Sequence, residues 1–375
     1  MKKCTYDVTV IGGGLAGLVN AIRLSRYGHN VALFERKKYP FHRVCGEYIS
    51  NEVIPFLESE GLFPKQFEPA KIEQFQLSSV NGKSIHMPLD LGGFGISRYS
   101  FDQWLAEEAL ASGVSLFENT SVDNVFFEQD HFQVAIRGKN EVTSRIVIGA
   151  FGKRSMLDKK MNRPFIRKKS PYIGVKYHIR TDVVPANIVG LHNFHGGYCG
   201  VSRIEDQKYN LCYLSTRDNL RKHGTIEGME QHVVLQNPYL KNIYSNSEFI
   251  LDQPEVINEI SFARKEAVHD HVLMTGDAAG MITPLCGNGM AMAIHAAKIS
   301  SQLVDQFLKK EITREQMERS YVAAWNSNFK VRHWAGRKIQ SLFGGSFASN
   351  LAVNLGKVSQ PSATFLMRQT HGVPF

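Results

Sequence analysis

Gly12, Gly14 and Gly17 form a G-x-G-x-x-G pattern, and Glu35 follows eighteen residues after the last of them. These residue types at this spacing suit the binding of a dinucleotide. The first glycine permits a tight turn, the second lets the backbone approach a pyrophosphate, and the third lets helix and strand pack closely. The amides of Leu15 and Ala16 would sit at a helix N-terminus, where free N–H groups and the dipole favour phosphate. Glu35, with Arg36 beside it, is placed to accept hydrogen bonds from ribose hydroxyls. An acid there disfavours a 2′-phosphate, so the unit suits FAD or NAD rather than NADP and does not choose between those two.

The elements that must position these residues are legible around them. Tyr6-Asp7-Val8-Thr9-Val10-Ile11 reads as a strand stopped by the glycines, and Leu15, Leu18, Val19, Ile22 and Leu24 then recur at helical spacing up to Gly28. Asn30-Val31-Ala32-Leu33-Phe34 is a second strand, which completes a βαβ unit of roughly 30 residues. Two later strands, Ile146-Val147-Ile148-Gly149-Ala150 and Val272-Leu273-Met274-Thr275, are expected to end on the same carboxyl edge, where ligands bind in a parallel sheet. The first runs into Phe151-Gly152, and the second into Gly276-Asp277-Ala278-Ala279-Gly280. Pro284, Gly287, Asn288, Gly289 and Met290 then lead into a helical run from Ala291 to Val304. A strand-end Asp can hold the sugar-alcohol hydroxyls of a flavin, and a glycine turn before a helix offers dipoles to a ring that becomes anionic on reduction.

On these segments, in this order, the chain resembles the glutathione-reductase-type FAD superfamily. The branch is the one holding group A aromatic monooxygenases and geranylgeranyl reductases. The resemblance implies an α/β fold: a FAD-binding Rossmann unit with an inserted α+β, antiparallel-sheet substrate domain. The expected division is 1–70, 98–165 and 262–330 for the FAD-binding unit, 71–97 and 166–261 for the substrate unit, and 331–375 as a C-terminal helical extension. It also implies FAD as cofactor and NAD(P)H as electron donor, used without a dedicated second fold, and no second dinucleotide fingerprint is present. Arg43, Arg98, Gly152, Asp277 and the Pro284–Met290 residues join the glycine turn as expected FAD contacts. The family's usual Asp between alanine and glycine is Phe151 here.

Candidate catalytic residues come from the same likeness. Arg43-Val44-Cys45-Gly46-Glu47 matches a segment that lies across the flavin face in geranylgeranyl reductases, which makes Cys45 a flavin contact and a candidate thiol proton donor. Tyr198 matches the first position of their Tyr-x-Trp motif, and Gly200 replaces the Trp. The run Gln103 to Ser112 reads as a helix with Ser100 or Asp102 as its cap, a site role for Asp102 being the alternative. Alternating residues across 171–214 predict the antiparallel sheet.

Composition bounds the partners. Five scattered cysteines and fourteen histidines show no ligand spacing, so neither a disulfide framework nor a metal site is expected. No apolar run reaches the roughly 18 residues of a membrane span, and the early strand leaves no room for a cleaved leader, so a cytoplasmic enzyme is expected. The net charge of +9 lacks the compact basic patch of a nucleic-acid binder. Its sharper expectation is contact with an acyl carrier or an anionic membrane face. A C-terminal helix with Tyr321, Trp325, Phe329 and Val331 on one apolar side is expected first to pack on the FAD-binding unit, and alternatively to meet lipid or cover a greasy substrate tunnel. The first functional reading is NAD(P)H-driven hydroxylation of a lipophilic aromatic or polyketide-like molecule. Saturation of isoprenoid C=C bonds is the alternative, and a flavin electron carrier or binding scaffold the third.

Overall fold

Tyr6–Ile11 lies at the centre of a parallel sheet because its inward side chains, Val8 and Val10, are wholly buried. Val31–Phe34 pairs with it on one side and Val142–Gly149 on the other, both parallel. Ser115–Phe117 extends the first flank and Val272–Met274 the second. The hairpin of Val122–Glu128 and His131–Ile136 joins antiparallel to Val142–Gly149. In this computed structural model residues 5–168, 170–283, 287–340, 350, 353 and 372–375 are described.

The register brings the glycine turn, Glu35, Ala150 and Thr275 to one edge, since Ile11 aligns with both Phe34 and Gly149, and Gly149 with Met274. Helices Leu15–Arg26, Arg98–Ala111 and Gly289–Leu308 share the core with these strands through Leu18, Ile22, Phe101, Leu105, Ile294 and Val304. Helix Arg314–Gln340 docks through Met317, Tyr321, Trp325 and Phe329, spaced by four, and the Tyr321 hydroxyl donates to Met274 O at 2.6 Å. Val331 is 58% exposed, because two residues past Phe329 the helix has turned away from the core. The helix also crosses position 331, so the boundary expected there falls inside a helix.

A second sheet of nine strands carries the other half of the molecule. Its middle runs Tyr172–Thr181, Tyr209–Thr216, Gly197–Arg203, Ile188–Phe194 and Ala70–Ser78, antiparallel except where the last two pair parallel. Strand Tyr48–Ser50 belongs to this sheet, pairing with Ser84–Gly95, although position 48 falls in the segment the sequence reading gives to the FAD-binding unit. Three residues are too short a run to announce a sheet partner by periodicity. One face, with Val175, Tyr177, Leu211, Tyr213 and Val201, is sealed by the helices between 217 and 245. The opposite face carries Tyr172, Lys176, His178, Tyr198, Ser202, Asn210 and Leu214, and it meets the segment 43–47.

Candidate functional site

The glycine turn is built as its spacing predicts. Gly12 has φ +103°, and a side chain there would drive a Cβ to 2.5 Å from Ala150 O. Gly17 faces the Gly12 carbonyl so closely that a Cβ would lie 1.9 Å from its oxygen. Gly14 is different. Its φ of −90° is open to any residue, and a Cβ would meet only Arg98 Nη2, at 3.3 Å. Nothing in the protein itself requires glycine there, whereas a ligand lying against the backbone would. No side chain caps helix Leu15–Arg26, so the amides at its start, including those of Leu15 and Ala16, remain for phosphate oxygens. These residues fit the pyrophosphate of FAD.

Glu35 is buried at the end of its strand and accepts from the Gly13 and Lys37 amides, at 2.9 and 3.0 Å. Arg36 is exposed next to it. Arg43 donates to Glu35 Oε2, to Gly13 O and to Asp102 Oδ2, at 3.1, 3.2 and 3.0 Å. Asp102 in turn takes both Nε and Nη2 of Arg98 at 2.7 Å. The predicted cap is therefore wrong. The helix starts at Arg98, Ser97 caps it through the Ser100 amide, and Asp102 is a buried carboxylate tying two arginines together. Burial disfavours the Arg98 charge, but the Asp102 carboxylate more than compensates and holds the guanidinium firmly protonated.

Arg98 links the parts of the site. Its guanidinium reaches Gly14, and its charge acts on both Cys45 and Asp277. Asp277 follows Gly276 on the turn after Val272–Met274. Burial raises its carboxyl above the usual range, opposed by Lys265, Arg98 and Lys153. Its backbone carbonyl accepts from Lys265 Nζ at 2.7 Å, while its carboxylate has no hydrogen-bond partner among the described residues. The ammonium groups of Lys153 and Lys265 are each lowered to about 8, chiefly by burial. A half-buried carboxylate without a partner, beside cations, fits the hydroxyl-rich chain of a flavin. Gly152 lies on the neighbouring turn at φ +82°. Gly287 packs against the Tyr48 ring, a Cβ there coming to 2.9 Å, and Asn288 precedes the uncapped start of helix Gly289–Leu308, with Met290 buried in its first turn. Pro284 lies outside the described residues. If Asp277 binds FAD, Asp277→Ala loses roughly 10–100-fold in flavin affinity, read from the flavin-to-protein absorbance ratio after dialysis. Full retention would place the cofactor elsewhere.

Cys45 lies where the second sheet meets this edge. The sheet clamps its segment: Lys176 Nζ donates to Arg43 O at 3.1 Å, Asn210 Nδ2 to Cys45 O at 3.1 Å, and Ser202 Oγ to Gly46 O at 3.4 Å. Glu47, absent from the predicted site, anchors the clamp. It is wholly buried and accepts from Lys176 Nζ, from His178 Nε2 at 2.7 Å and from the Arg98 amide at 2.8 Å. Burial alone would raise its carboxyl, yet Lys176 and His178 outweigh that and bring it down to about 2. Burial pushes the Cys45 thiol up, and that of neighbouring Cys212 up to about 12. Tyr198 is not beside Cys45. It is buried with Leu77, Leu191, Leu214 and Ile260 in an apolar cluster at the other end of the same sheet face.

The relatives agree with this geometry. A model of the FAD binding domain family matches residues 5–307. The chain is 24% identical over 361 residues to digeranylgeranylglycerophospholipid reductase 1 of Methanopyrus kandleri, covering 90% of each. A geranylgeranyl bacteriochlorophyll reductase-like protein of Thermoplasma acidophilum shares the fold with a TM-score of 0.79 at 17% identity, over 96% of this chain and 95% of that one. A variant of a flavin-dependent brominase shares it with a TM-score of 0.80 at 17% identity, over 98% and 94%. With its glycine turn and strand-end acids in place, the chain belongs to the FAD binding domain family and is a FAD-dependent oxidoreductase.

Proposed function

We propose that the chain saturates a carbon–carbon double bond in a lipophilic, isoprenoid-type substrate, with NAD(P)H as the electron source. The observation that carries this reading is the division of the sheet face over the site. One half is polar and clamps Cys45; the other is apolar and presents Leu77, Leu191, Tyr198, Leu214 and Ile260, with Tyr172, Phe262 and Met281 packed against them. Between the halves lie Gly174, Cys212 and Gly200, all on that face. At Gly200 a Cβ would meet nothing nearer than Cys212 O at 3.7 Å, so the position where the related motif has Trp leaves space along the sheet. The names of the reductase relatives support the same substrate class.

When bound, FAD supplies hydride chemistry. The contribution of the chain is a proton and its placement. A thiol raised by burial stays protonated at neutral pH, which suits Cys45 to give its proton to the alkene carbon that does not receive hydride. The resulting thiolate would be stabilised by Arg98 and Lys176, then reprotonated from water. The apolar half of the face would keep the chain of the substrate extended and dry.

The test is an anaerobic assay of the flavin-loaded protein with NADPH and a prenyl substrate. The product should gain two hydrogens per reduced bond, and Cys45→Ser should lower kcat by about 100-fold with little change in KM. Turnover that requires oxygen and yields a hydroxylated product would establish hydroxylation instead.

A further inference from the structure

A groove of about 400 Å³ beside helix Arg314–Gln340 is lined by Arg264, Trp334, Arg337 and Lys338. Among the described residues its lining is three cations and an indole. Arg264, exposed, and Arg337, half-buried, form no ion pair among the described residues, and the charge of Arg264 bears on Arg337 across the groove they both line. Two guanidiniums held together without a counter-charge repel one another, and an anion with two or more charges relieves that repulsion.

The groove adjoins the site. Arg264 precedes Lys265, whose Nζ donates to Asp277 O, and Phe262 is packed on the apolar cluster around Tyr198. His333, next to Trp334 in the chain, abuts Gly280, where a Cβ would come to 3.2 Å from the imidazole. Trp334 is 55% exposed, and Val331, one turn earlier, 58%. Phe262, two residues before Arg264, therefore ties this segment to that apolar cluster.

We infer that this groove binds a phosphate-bearing group, the phosphomonoester or diphosphate head of the lipophilic substrate. Arg264 and Arg337 would grip the phosphate oxygens, and Trp334 would cover the first carbons of the chain. The identity of the head as part of the substrate rests on the reading of the reaction above; the anion site does not.

Two measurements on the flavin-loaded protein separate these. Inorganic diphosphate, titrated at constant ionic strength, should quench Trp334 fluorescence saturably, and an Arg264→Gln/Arg337→Gln variant should bind it at least about ten-fold more weakly. Equal flavin content in the two proteins certifies the fold. In turnover, KM for a prenyl diphosphate should rise at least about ten-fold in the variant, with KM for the matching prenyl alcohol and for NADPH unchanged. Equal diphosphate affinity in both proteins would overturn the site. A rise in KM for NADPH and not for the ester would overturn its assignment to the substrate. Arginine-dependent diphosphate binding in a protein that reduces no alkene would uphold the site and reject the proposed reaction.

Discussion

Replacing Glu47 by glutamine is expected to cost the native state about 3–5 kcal/mol, read as a fall in the urea unfolding midpoint at neutral pH. The cost comes from what is left behind. Lys176 Nζ is wholly buried, with Glu47 as its counter-charge and the Arg43 carbonyl as its other acceptor. Glutamine fills the same space but leaves that ammonium unbalanced in a low-dielectric interior. Glu47 also holds its backbone at φ +51°, a strained region for a residue with a Cβ, and its three hydrogen bonds keep it there. Adding Lys176→Met to Glu47→Gln should recover much of the loss, because the unpaired charge is then gone. The pH dependence follows from the depressed carboxyl. Because its native value is about 2 against an ordinary 4.5, its contribution is complete above 4.5 and is lost as pH falls through 2. That contribution is about 3 kcal/mol in the parent protein and absent from Glu47→Gln. Unfolding curves at pH 7 and near pH 2 should therefore converge for the two proteins. A constant gap would show that the carboxylate is not the source.

Glu47 also shows where a sequence stops being informative. The glycine turn is legible because its demands are local: a turn, a close approach and a tight packing contact, all within six residues. Glu35 and Asp277 are legible because a strand end announces itself by its apolar run. Asp102 is misread as a cap because a short-range rule supplies a sufficient account first, whereas its carboxylate ties Arg98, four residues before it, to Arg43, 59 residues away. Lys176 and His178 sit on alternate positions of an ordinary-looking strand, and only the folded chain reveals that both face Glu47. Tyr198 shows the converse. Family likeness brings it to the right sheet face, and the register then places it in the apolar half rather than next to the thiol.

Gly17→Val and Gly14→Val are expected to fail in different ways, and the contrast tests the cofactor site without any substrate. At Gly17 the helix crosses the Gly12 carbonyl with room for a hydrogen atom only, since a Cβ would lie 1.9 Å from that oxygen. Both atoms belong to backbone in the core, where Leu18 and Val8 are wholly buried, so neither side can yield cheaply. Valine should therefore cost about 3 kcal/mol in stability, or more, and displace the amides that face the pyrophosphate. Unfolding midpoint and flavin content should fall together. At Gly14 the backbone is extended, and the one neighbour of an added Cβ is the tip of Arg98. Valine there should leave the midpoint within about 0.5 kcal/mol of the parent, because the one group an added Cβ crowds is the end of the Arg98 side chain, which needs to shift by only a few tenths of an ångström. Yet the two methyl groups would occupy the space against the turn where phosphate oxygens must approach. Flavin affinity should fall by at least about 100-fold, a loss near 3 kcal/mol. A Gly14→Val protein that stays yellow would mean the pyrophosphate does not lie over this turn. A Gly14→Val protein that is stable and colourless would separate, in one residue type, the glycine that the fold requires from the glycine that the ligand requires.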